Sequence, residues 1–218
     1  MIELDFTEVA VIRLLVPLLI LRRPLPGILL AVFVDWLDWR ILDLDRRPDD
    51  HDFYQVWDKL IDLYYQALAA YVVLRWDDRF VRNLGLALFG YRLVGVAIFA
   101  VASSQELLLL FPNLFDNFFV LFYLYRAISG VELAFTRRFD ALLVLLAIAV
   151  PQLAREFFLH LIQDRPWDMI RLFPGPFASR QLDIFVWVGV YLLPQLAALR
   201  YVLRWTRLRL HQGLLWAR

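Results

Sequence analysis

The sequence predicts an all-α fold: a polytopic membrane helical bundle of six to seven transmembrane helices, built as a single integral membrane domain over residues 1–218. Three observations carry that expectation. Hydrophobic residues make up 61% of the chain, with a mean hydropathy of +0.60, where a soluble domain holds about 45–50% apolar residues. The excess recurs in blocks along the whole length rather than in one core segment. Blocks such as ALLVLLAIAV are apolar all round, whereas a transmembrane barrel alternates apolar and polar positions.

A helix needs about 20 apolar residues to cross a bilayer, and the blocks sort on that scale. Residues 7–21 form a short run stopped by RRPLPG, whose two prolines and glycine break a helix. Residues 27–42 resume it, and the polar stretch DLDRRPDDHD (43–52) connects to a third segment at 53–75. Further helices are expected over 83–101, part of 105–128, 139–162 and 183–205, with one long proline-rich loop at 163–182. Two topologies satisfy the positive-inside rule. If all seven segments span, the arginines at 22–23, 75–82, 126–138 and the tail share a side, opposite 43–52. If 105–128 is re-entrant, broken at Pro112-Asn113, then 43–52, 126–138 and the tail 200–218 lie together on the cytoplasmic side.

Net charge is +1, so no global field favours a nucleic-acid partner. The absence of cysteine excludes disulfides, thiolate metal sites and thiol chemistry. Basic residues are nearly all arginine, Lys59 being the one lysine. The N-terminal MIELDFTEVAVIRLL is acidic before its apolar run and has no small-residue cleavage site, unlike a removable signal peptide. The tail RYVLRWTRLRLHQGLLWAR is basic and amphipathic, suited to anionic membrane lipids.

The chemistry concentrates in DWLDWRILDLDRRPDDHDFYQVWDKLID, residues 35–62. Asp35 with Asp38 (i,i+3) and Asp58 with Asp62 (i,i+4) are each a same-face pair on a helix. The connection between the two helices is short, so they should pack antiparallel. Four carboxylates then converge on one pocket at the membrane surface. Like charges so close repel, and desolvation adds to the penalty. Mg²⁺ or Mn²⁺ relieves both, preferring carboxylate oxygen and completing its shell with substrate phosphate. Acids near helix ends also simply solvate a membrane boundary, which suits Asp43, Asp45, Asp49, Asp50 and Asp52.

These residues resemble the CDP-alcohol phosphotransferases, integral membrane enzymes that join a CDP-linked donor to an acceptor alcohol in phospholipid synthesis. The family signature runs D-x2-D-G-x2-A-R, eight residues, then G-x3-D-x3-D, and the four aspartates here match its internal spacings. VIRLLVP (11–17) is similar to the family's first-helix Leu-Thr-x-x-Arg-hydrophobic-Pro pattern, and Arg92 lies where members often carry an arginine. The resemblance covers residues 7–95, with the motif on the helices of 27–75. It implies metal binding by Asp35, Asp38 and Asp58, and a general base at Asp62 that activates the acceptor hydroxyl. It also implies Mg²⁺ or Mn²⁺ as cofactor and a CDP-linked donor as partner. The expected location is a bacterial inner (plasma) membrane, with a homodimer or larger membrane complex left open. The chain departs from the pattern at Trp39, at Leu42 and Asp43, and at Tyr54, and its spacer (44–53) has ten residues rather than eight. The lost glycines would let backbone approach the nucleotide. A catalytically silent relative, serving as an accessory subunit of a membrane complex, is therefore the alternative.

Arg92 stands mid-helix in an apolar run, where a charge needs a partner or a wet cavity. It suits a substrate phosphate, or a salt bridge to a residue such as Glu106 or Glu156. Arg155, Glu156 and His160 read as an internal ion pair with a satisfied histidine, and His51 and His211 have no metal-ligand spacing.

Overall fold

The computed structural model describes residues 6–41, 51–102, 110–135 and 138–157, and in the C-terminal part 196–197, 200–201 and 204. Among these residues the chain is all-helical, with no strand. Most of the connection 43–52, the loop 163–182, most of the segment 183–205 and the tail beyond 204 lie outside the described residues. So do the side chains of Asp38, Trp39 and Tyr54. The chain divides into two compact units, Met1–Ser103 and Ser104–Arg218.

The first unit opens with α1 (Phe6–Leu15), which tightens directly into a 3-10 segment, Val16–Leu21. Pro17 explains the change. It has no N–H to return to the carbonyl of residue 13, and its ring clashes there with a continuing α-helix. The apolar run 7–21 is thus two helical forms, not one. The chain then turns at Arg22-Arg23 and enters α2 (Pro24–Ile41). The prolines at 24 and 26 sit in the first turn of α2, where a missing N–H is no loss. They open the second helix three residues earlier than the sequence pattern placed it.

Gly27 makes this hairpin close. The turn is tied by Arg23 N–H to Leu19 O at 2.8 Å and by Gly27 N–H to Arg23 O at 2.8 Å. A Cβ at position 27 would stand 2.6 Å from Ile20 Cα and 2.8 Å from the Leu19 carbonyl carbon, both backbone atoms that no rotamer change can move. Gly27→Ala is expected to destabilise the protein by about 1–3 kcal/mol through overpacking. Thermal unfolding in detergent checks this, and an unchanged midpoint would show that the hairpin yields freely.

Helix α3 (His51–Val73) packs against α1, with Tyr64 Oη donating to Leu14 O at 3.1 Å. A short turn, in which Asp78 Oδ1 accepts from Val81 N–H at 2.9 Å, leads to α4 (Arg79–Ala102). Over Arg79–Val101 this helix is long and apolar enough to cross a membrane, the one such helix among the described residues.

The second unit contains α5 (Leu114–Ser129) and α6 (Arg138–Phe157), packed on each other. Helix α5 begins just after Pro112-Asn113, the point at which one of the two topologies bends the segment 105–128. Asn113 is the N-cap, its Oδ1 accepting from Asp116 N–H at 3.4 Å while its Nδ2 donates to Asp116 Oδ2 at 2.7 Å. Gly130 ends α5 in the left-handed region, φ 76°, where a glycine is least strained. Between α5 and α6 the buried Asn117 Nδ2 donates to Gln152 Oε1 at 3.1 Å.

Candidate metal and phosphate site

The site of the first unit is organised around Arg13, which α1 carries one turn ahead of Pro17 and which is only 3% exposed. A guanidinium keeps its charge in a protein, so its burial calls for anionic partners. Three carboxylates supply them. Nη1 donates to Asp58 Oδ1 at 2.8 Å; Nη2 donates to Asp62 Oδ1 at 3.0 Å and also to Asp35 Oδ1. The planar fork of arginine suits such bridging, which a point-charge ammonium does less well. Trp57 closes one side, its ring centroid 5.1 Å from Arg13 Cζ.

The carboxylates reach this point from two helices. Asp35 lies in the second half of α2, while Asp58 and Asp62 share a face of α3 one turn apart. Lys59, between them, donates from Nζ to Asp58 Oδ2 at 2.7 Å and stands 3.8 Å from Asp62 Oδ2. On α4, Arg92 is buried as well, 5% exposed. One carboxylate oxygen each from Asp35, Asp58 and Asp62 lies within 4.8 Å of the others. That is a donor set of hard oxygens suited to a divalent cation.

Of the residues expected to bind metal, Asp35 and Asp58 therefore come together, and Asp62, expected as the base, stands in the same group. Asp38 is carried on α2 one turn beyond Asp35, with its side chain outside the described residues. Arg92 is buried in the first unit. Arg13 and Lys59 are the members that the aspartate spacings do not announce. A signal existed for each: Arg13 is a lone charge in the run VAVIRLLVPLLI, and Lys59 is the sole lysine, set inside an aspartate pair.

No protein family, curated protein or solved structure matches the chain. The chemistry of the site rests on the residues themselves.

What the arrangement can do follows from its charges. Carboxylates on α2 and α3 can share a cation, and a carboxylate among them can accept a proton. The buried guanidinium of Arg13 beside them has a planar fork that could match the oxygens of a phosphate group. Carboxylates and a guanidinium are thus gathered in one place on α1, α2 and α3.

Proposed function

We propose that the protein is a membrane enzyme of the CDP-alcohol phosphotransferase type, a bundle of six to seven spanning helices. It would transfer a phospho-alcohol group from a CDP-linked donor to an acceptor alcohol. The observation that carries this reading is the convergence of Asp35, Asp58 and Asp62 within 4.8 Å, at positions matching the family's aspartates. Membrane immersion is supported by the charged and polar side chains buried in the first unit and the large apolar ones on its outside. Arg13, Asp62, Gln66 and Arg92 are buried, while Leu29, Leu30, Phe33, Leu60, Leu93 and Val94 are exposed. Water penalises that arrangement, and lipid favours it.

In this reading Asp35 and Asp58, with Asp38 from the next turn of α2, hold Mg²⁺ or Mn²⁺. The cation supplies charge neutralisation for a pyrophosphate when bound. Asp62 takes the proton of the acceptor hydroxyl. The acceptor oxygen forms a bond to the phosphorus distal to the cytidine, and the phosphoanhydride bond breaks with its electron pair leaving on CMP. Arg92 and Arg13 orient the phosphate oxygens.

Release of CMP from CDP-diacylglycerol by the purified chain in detergent, against a panel of acceptor alcohols, tests this. Activity should require Mg²⁺ or Mn²⁺ and stop on addition of EDTA. If no acceptor and neither metal yields CMP from monodisperse protein, the silent-subunit alternative takes its place. That alternative draws on the same cluster, because Arg13 joins three carboxylates.

A further inference from the structure

Three carboxylates (Asp35, Asp58, Asp62) and two cationic side chains (Arg13, Lys59) meet in the first unit. A conventional acidic metal site offers open carboxylate oxygens to a cation. Here a divalent ion added alone would need oxygen atoms that now accept from Arg13. The guanidinium takes Oδ1 of all three aspartates.

We infer that Arg13 is an internal plug of the metal site: it occupies the carboxylates until a pyrophosphate-bearing ligand arrives, takes over the guanidinium and brings the cation with it. The inference rests on the metal-site reading above and specifies how that site is regulated. The charges fit. A diester pyrophosphate carries two negative charges, matching the two that a divalent ion adds. The geometry fits as well, because an arginine fork that leaves carboxylate oxygens can grip phosphate oxygens with the same donors. Trp57 beneath the guanidinium gives it an apolar face to slide along rather than an additional polar anchor. The plug would protect an unfilled site from free cations, and it would make the metal a co-substrate rather than a resident.

Mn²⁺ binding to the full chain in detergent, read by electron paramagnetic resonance, tests this without any assay of turnover. CDP is the pyrophosphate probe, with the Mn²⁺ that CDP holds in buffer alone subtracted. For the wild type, CDP should tighten Mn²⁺ binding by about tenfold or more, a coupling of ordinary size between two linked ligands. Arg13→Gln should bind Mn²⁺ without CDP about tenfold more tightly than the wild type does, and should gain little from CDP. Arg13→Lys, which keeps the charge but cannot bridge three carboxylates, should fall between. The wild-type comparison stands even if Arg13→Gln fails to fold. Mn²⁺ binding that is equal with and without CDP would overturn the plug and leave the metal site intact. A folded Arg13→Gln protein with wild-type Mn²⁺ affinity would do the same. No Mn²⁺ binding by any folded variant, with or without CDP, would instead remove the metal site on which the inference rests.

Discussion

Arg13→Met is expected to destabilise the protein by about 3–5 kcal/mol, the range for removing one partner of a buried ion pair. The substitution keeps much of the side chain's volume and length, so packing changes little and charge changes most. Asp58 and Asp62, both nearly enclosed, would lose their shared donor and face each other. Lys59 would remain for Asp58, but it stands 3.8 Å from Asp62, a weaker contact. The Arg13–Trp57 contact would go too, a smaller loss of about 0.5–1 kcal/mol. Because Arg13 joins α1 to both α2 and α3, the loss should reach the whole first unit rather than one helix end. Unfolding in mild detergent, followed by circular dichroism against denaturant, measures it. A stability within about 1 kcal/mol of the wild type would place the three carboxylates in the range of exposed ion pairs and remove Arg13 as the unit's anchor.

Asp62→Asn should lower CMP release by roughly 10²–10⁴-fold, the usual contribution of a positioned general base. The amide keeps an oxygen that can accept from Arg13, so the fold should survive; it has no basicity to take a proton from an alcohol. Two readouts are needed because Asp62 lies as a potential ligand in the same group as Asp35 and Asp58. Lost turnover with Mn²⁺ affinity unchanged in the presence of CDP assigns Asp62 as the base. An affinity that falls together with turnover would make it a metal ligand, and the base would have to be sought elsewhere. Asp58→Asn serves as the contrasting variant, with metal affinity falling first.

Much of the helical layout was legible in the sequence, because apolar blocks and breakers are local signals. Asn113 after Pro112 is a capping residue at a local breaker, and a helix starts there. Pro24 and Pro26 were harder. The same residues that stop a helix also start one, and only the structure distinguishes the two uses. Pro17 posed the converse problem: the apolar run continues through it while the helix changes from α to 3-10. The aspartate pairs were visible by their spacing, since i,i+3 and i,i+4 fix a common face. Arg13 was not visible in that way. Its partners lie 22, 45 and 49 positions away, and no local periodicity links residues on three different helices. Lys59 was hidden for a different reason, since a single lysine among arginines looks like composition rather than position.

The pairing of charges at the cluster also constrains how such a chain can change over generations. Arg13 and the aspartates it joins sit on three helices, so replacing one of them with an apolar residue strands an opposite charge among partly buried groups. Such single substitutions should be costly, while paired exchanges, an aspartate and a cation lost or swapped together, should pass. Descendants of this sequence would then keep the whole group or discard it in matched steps, and a homologue lacking Arg13 should also lack an aspartate among positions 35, 58 and 62. Inheritance at this site would run by parity rather than by residue.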